Sequence, residues 1–185
     1  MNIFYLDNNV TKCAEYHMDR HVVKMILEYC QLMSTAHRIL DGLEYEDYSP
    51  NGRRVKRFKL PETKDSVIYS ATHINHPSAV WARANKQNYL WLHKLTVALA
   101  REYTHRYGKV HACETNGLIK TLATPPNNIP NGKFTEPTPA MPKEYISDDD
   151  SIKSYREYYR KGKTHLASWS ERSLPDWYFT SENNA

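Results

Sequence analysis

The chain is short of glycine and cysteine and has no long hydrophobic run, and each shortage removes a class of function. Its 6 glycines form no phosphate-cradling loop, nucleophile elbow or dinucleotide fingerprint, all of which need glycines placed where the backbone turns sharply or approaches a phosphate. The 3 cysteines, Cys13, Cys30 and Cys113, have no metal-ligand spacing. An odd number cannot all pair within the chain, so a reducing cytoplasm is the expected location. No apolar run approaches the roughly 18 residues that a membrane span needs. The opening MNIFYLDNNV has neither the basic start nor the apolar stretch of a signal peptide, so a soluble, unexported protein with no membrane partner is expected. No repeat, low-complexity tract or linker interrupts the 185 residues, and 40% hydrophobic residues supply one ordinary core. A single domain spanning 1–185 is expected.

Charge is present but patchy. The net charge of +4 and pI of about 8.8 are only mildly basic. Yet NGRRVKRFKL, residues 51–60, gathers Arg53, Arg54, Lys56, Arg57 and Lys59, while Asp41, Glu44, Glu46 and Asp47 precede it. Such a distribution favours an anionic partner at one place rather than over the whole surface. Asn-Gly marks a turn, so residues 42–62 read as a charged loop. Its five cations can neutralise successive phosphates, giving binding that is largely sequence-blind and strongly salt-sensitive.

The remaining pattern predicts a mainly α fold: two long helices, a third C-terminal helix, long loops and little or no sheet. The NIFYL segment packs under the core. The first helix runs from Thr11, as cap, to Asp41, with Gly42 as the stop. The second runs from Pro77 to Gly108, with Asn75 or His76 near its cap. A brief helix is predicted at 114–123, and residues 63–72 fit either a short helix or an extended link. Six prolines at 125, 126, 130, 137, 139 and 142 make 124–143 a surface loop. The last helix starts near Ser151 behind the acidic Asp148–Asp150, which suits a helix N-terminus, and Gly162 is a point where it can break.

The first helix is the most informative. At about 100° per residue, His17, His21, Lys24, Glu28, Gln31, Thr35 and Arg38 fall on one stripe, and nearly everything else from Val22 to Leu40 is apolar. A mostly buried helix with such a stripe must pair those groups internally or line a cleft, since unpaired buried charges cost several kcal/mol. Ion pairs such as Lys24 with Glu28 would satisfy the structural alternative; the mixture of acid, base and amide favours a cleft wall. On the second helix, Arg83, Lys86, Arg101 and Arg106 read mainly as solvated. Tyr155, Tyr158, Tyr159 and Trp169 read as core and rim more than as a base-stacking platform. His17 and His21 at i,i+4, with His73 or His76, have the spacing of a metal site, but no zinc-protease motif or cysteine pair accompanies them. No metal and no cofactor are expected, and a His-ligated hydrolase is a third alternative.

Residues 51–60 resemble a segment of the pyrimidine-dimer DNA glycosylases, the endonuclease V family of T-even phages: Asn-Gly-basic-Arg-Val-basic, then Phe-Lys-aliphatic, between the first two long helices. KCAEYHMDRH resembles the start of that family's first helix, with His17 matching a histidine. HPSAVWARANKQNYLWLHKLTVALAREYTHRYG resembles its second, with His76-Pro77, Trp81 and Arg83 in matching positions. LPDWY is similar to the family's aromatic tail. The resemblance implies a helical fold, no metal, and duplex DNA as partner, with Trp177 and Tyr178 stacking or wedging beside an extruded base. It also implies attack by the N-terminal α-amine on the sugar C1′, assisted by a glutamate of the first helix; α-amines, titrating at about 7.7–8.0, keep a useful neutral fraction near neutrality.

The chain departs from that pattern twice. Asn2 is too bulky for ready removal of the initiator, which leaves the amine on Met1. Lys24 stands where the family has its glutamate, with Glu28 one turn later. Glu28 is therefore the expected acidic partner and Lys24 an alternative nucleophile, activated if burial beside Arg38 or His21 depresses it. Candidate binding residues are His17, His21, Gln31, Arg38, the five cations of the basic segment, His76, Arg83, Trp177 and Tyr178. A non-catalytic protein that binds free nucleotides on the same fold is the second alternative.

Overall fold

A computed structural model describes residues 1–148 and 150–179, and its framework is helical. Where one helix was predicted from Thr11, two form: α1 (Val10–Glu15) and α2 (Asp19–Asp41). The cap is Asn9, whose side chain accepts from the Thr11 and Lys12 amides. The break at residues 16–18 has a side-chain cause. His17 Nδ1–H donates to the Cys13 carbonyl at 2.7 Å, taking the acceptor that its own amide would use in a continuing helix. The neighbouring carbonyls are met from far along the chain: Arg106 donates to Glu15 O and His17 O, both at 2.9 Å, and Trp169 Nε1 to Tyr16 O at 2.9 Å. Buried carbonyls need such partners, and local helix propensity does not register them.

The second helix also divides, into α4 (Pro77–Ala84) and α5 (Lys86–Tyr107). Asn85 is extended between them and its side chain accepts from the Asn88 amide at 3.0 Å, while the Lys86 amide donates to Pro130 O at 2.8 Å. Pro77 occupies the first turn of α4 as predicted, with His76 as cap, and Gly108 closes α5 in the left-handed region at φ 62°. The proline-rich 124–142 stretch is irregular and is fastened across these helices, for example by Trp81 Nε1 donating to Thr135 O at 3.1 Å.

The predicted 114–123 helix resolves into α6 (Ala112–Thr115) and α7 (Leu118–Thr121). The C-terminal helix is shorter than predicted: α8 (Ser151–Glu157) passes into a π turn, Tyr158–Gly162, and then into short 3-10 turns at Thr164–Leu166 and Asp176–Tyr178. Asp150 caps α8 through the Lys153 amide at 2.7 Å; Asp149 of the acidic triplet lies outside the described residues.

The 42–62 segment is not the predicted loop. Leu43–Tyr48 (β1) and Arg54–Lys59 (β2) form an antiparallel hairpin with Glu46 opposite Lys56, followed by α3 (Glu62–Asp65). Gly42 makes the junction feasible: a Cβ there would lie 2.3 Å from Arg38 O and 2.9 Å from Phe58 Cβ. Behind the hairpin, α2 packs against α4 and α5. Val22, Met25, Ile26, Tyr29, Leu32 and Met33 are buried in the core, each aliphatic side chain contributing about 1.5–3 kcal/mol. Ile3, Phe4, Tyr5 and Leu6 lie beneath, and Tyr155, Tyr159 and Trp169 join the core. Among the described residues no helix is long and apolar enough to cross a membrane.

Candidate functional site

The polar stripe of α2 is sealed at both ends and open in the middle. At the first end, His17 lies in the helix break and is fully buried. Its Nδ1 is a donor to Cys13 O, so Nε2 must accept from Tyr29 OH at 3.1 Å, and burial holds its pKa down at about 4. His21 stacks on Phe4, with centroids 4.2 Å apart, and bonds Tyr159 OH at 2.6 Å; burial depresses its pKa to about 3. At the far end, Thr35 exchanges hydrogen bonds with the Thr72 backbone. Arg38 is a buried clamp, not a ligand group. Its guanidinium donates to Tyr69 O, Phe58 O, Asp65 O, Ile68 O and the Asp65 carboxylate, which uses all five donors of an arginine.

Between these ends Lys24 is exposed and Glu28 and Gln31 are half-buried. Here the chain's first residue arrives. The Met1 amine lies 3.9 Å from Glu28 Oε2, and Lys24 Nζ lies 3.2 Å from Oε1 of the same carboxylate. The Met1 side chain packs on the core at 6% exposure, while the residue as a whole is half-buried, so solvent meets it mainly through its main chain. Asn2 Oδ1 is buried beside it without a hydrogen-bond partner. Lys24 is not desolvated, since its side chain is 69% exposed; the burial that would activate it as a nucleophile is absent.

His76 lies near enough to the amine to feel its charge, and His73 shares its turn. His76 Nδ1 accepts from the Ser78 amide at 3.2 Å. Its pKa is lowered by burial and by the positive charges of the Met1 amine and His73, against the pull of Glu28. His73 has φ 48°, a sparsely populated backbone state for a non-glycine residue, and is tied to Thr72 by a 2.8 Å side-chain bond. Arg83 braces this turn through Ile74 O at 2.7 Å and so supports the site from behind. A primary amine beside a carboxylate can add to an electrophilic carbon while the carboxylate accepts a proton.

The basic segment is more nearly neutralised than its sequence suggests. Lys56 pairs with Glu44 at 2.8 Å, Arg57 with Asp47 at 3.6 Å, and Arg54 with Glu46. Lys59 is exposed and near enough to Asp65 to lower its pKa, though less than the Leu60 amide and Arg38 do. Arg53 makes no ion pair among the described residues and stands exposed in the turn. Trp177 and Tyr178 do not protrude as a wedge. Tyr178 is buried against Trp169, and Trp177 packs against Tyr16 and Tyr159 with the Arg156 guanidinium over its ring at 5.1 Å. The exposed aromatic of the tail is Phe179. Both ring nitrogens of His17 are occupied inside the core, so the i,i+4 histidine pair builds no metal site; among the described residues no group of three His, Cys, Asp or Glu side chains is arranged to hold a metal.

Sequence reasoning missed two features. Arg106, read as solvated, has a fully buried side chain pairing with Glu102 at 2.7 Å and Asp19 at 2.9 Å. A cleft of about 480 Å³ lies between the hairpin and residues 65–71, and only the pairing of the 43–48 acids with the 54–59 bases would have revealed its wall. Comparison of the chain with protein-family models, curated proteins and solved structures finds no match.

Proposed function

We propose that the protein is a DNA glycosylase with an abasic-site lyase step, acting on a damaged or modified base in duplex DNA through the Met1 amine. One observation carries this reading: the 3.9 Å approach of that amine to Glu28, where α2, the first residues and the His73–His76 turn converge. In the proposed reaction the amine nitrogen bonds to the sugar C1′ as the C1′–base bond breaks. Glu28 takes a proton from the attacking amine and passes it to the departing base. The C1′–O4′ bond then breaks, the ring oxygen taking a proton from water, and the iminium so formed permits β-elimination: a C2′ proton is lost as the C3′–O bond breaks and the 3′ phosphate leaves. The hairpin supports the reading as a source of phosphate contacts, because its ion pairs are exposed and such pairs exchange partners at a cost of about 1 kcal/mol or less.

Borohydride trapping on duplex DNA with an abasic site tests the proposal, alongside intact-mass and N-terminal analysis showing a free Met1 amine. A covalent adduct mapping to Met1 is expected. Lys24→Ala should retain the adduct, and Glu28→Gln should slow its formation by about 100-fold, the usual scale for a lost proton acceptor. A folded protein with a free Met1 amine that yields no adduct overturns the proposal.

A further inference from the structure

We infer that the cleft between the hairpin and residues 65–71 is a binding site for a nucleotide unit, a flat base carrying a phosphate, either free or as part of a single strand. The site is separate from the Met1–Glu28 pair and the inference does not rest on the reading given to that pair. Glu28 and Arg38 are ten positions apart on α2, roughly 15 Å along a helix, and only Arg38 reaches the cleft.

Three features point to this ligand. The first is construction: the buried Arg38 guanidinium bonds Phe58 O on β2 and the carbonyls of Asp65, Ile68 and Tyr69 on the facing segment. One side chain thus fixes both walls, and a pre-formed cleft loses less entropy on binding. The second is size: about 480 Å³ falls within the range of small-molecule sites, about 300–1,000 Å³. The third is the chemistry of the lining. Lys56, Arg57, Phe58 and Tyr45 line the cleft from the hairpin, where Tyr45 is paired with Arg57, and Tyr69 and Ser70 line it from the facing segment. Cations beside aromatic faces suit a phosphate joined to a π system. Among the described residues the ion-pair partners of these two cations are Glu44 and Asp47, whose side chains are 49% and 48% exposed. A phosphate can therefore displace those carboxylates at little cost. Asp65, the carboxylate among the lining residues, accepts from Arg38 and the Leu60 amide through Oδ1, so the Arg38 guanidinium balances its charge beside an incoming anion.

Calorimetry of the full chain with nucleoside monophosphates, inorganic phosphate and a short single strand tests this inference. Saturable nucleotide binding tighter than about 1 mM is expected, weakened about tenfold in both Arg57→Ala and Tyr45→Ala, residues 38% and 46% exposed whose folding is checked by thermal melting. Glu28→Gln should bind nucleotide as the parent does, which separates this site from the amine site. A strand that binds while the free monophosphate does not, with the same two losses, assigns the cleft to a nucleotide within a chain. Phosphate binding as tightly as nucleotide, binding indifferent to both variants, or no saturation by any of the three ligands overturns it.

Discussion

Arginines and carboxylates occur in two settings in this molecule, and they behave as different materials. At one end of α5, Arg106 and Arg172 converge on Glu102, with Asp19 bound by Arg106, Ser168 and Ser170. Burial alone would raise the Asp19 and Glu102 carboxyls, yet their hydrogen bonds hold both below the ordinary range. This network fixes the α1–α2 break to α5 and the C-terminal segment. In the hairpin, similar numbers of opposite charges meet in water, with Arg54 at 66% and Glu46 at 55% exposure. The same residue types therefore stand for unequal energies: the buried set maintains the fold, and the exposed set is free to change partners.

The largest effect expected from testing this contrast comes from putting protons on the buried groups. His17, and His37, which is buried on α2 with Nε2 bonded to Tyr89 OH at 3.0 Å, are held at about 4 and His21 at about 3, in each case first by burial. An unfolded chain protonates each imidazole near pH 6.5. The unfolded state therefore binds more protons as pH falls, so the histidine contribution to stability is complete above about pH 6.5 and is lost as pH falls towards 4. Each group adds a slope of up to about 1.4 kcal/mol per pH unit, and the three together roughly 4. Urea midpoints measured across that window should fall steeply; a flat profile would show that the three rings already carry protons in the folded protein.

Next in size is Arg106→Met. It leaves Glu102, only 4% exposed, short of one partner and strips the donors from Glu15 O and His17 O. Removing one member of a buried pair costs on the order of 3–5 kcal/mol, a melting-temperature drop of roughly 10 °C for a chain of this size. A loss below about 1 kcal/mol would place the network in the same class as the hairpin and erase the contrast.

The sequence disclosed what depends on near neighbours. The helical class, Pro77 at the start of α4, Gly108 at the end of α5 and the irregular proline stretch all follow from local backbone chemistry. So does the grouping of Lys24, Glu28 and Gln31 on one face of α2. What stayed hidden depends on distant partners. A spacing of about 100° per residue puts His17 on the stripe, whereas Arg106 and Trp169, far along the chain, supply the carbonyls of a broken helix. Arg38 looked like a ligand group because its acceptors are backbone oxygens, which carry no residue signature. Asn51-Gly52 signals a turn, but its place at a hairpin tip depends on the acids of β1 matching the bases of β2. The approach of Met1 to Glu28 depends on how residues 3–6 cross beneath α2, a matter of packing that composition does not encode.

The smallest stability effect belongs to the exposed set. Arg54→Ala and Lys56→Ala each break a pair whose members are about half exposed or more, so each should change unfolding free energy by less than about 0.5 kcal/mol. If the hairpin grips a nucleic-acid backbone, the same variants should act where the buried network does not. Each lost phosphate contact lowers the slope of log affinity against log salt by about 1, with little dependence on sequence. Filter binding to duplex DNA over a salt series, paired with denaturation of the same samples, measures both quantities together. A variant that loses stability but keeps its salt slope would show that the hairpin charges serve the fold, and the division between the two sets of ion pairs would fail on the exposed side.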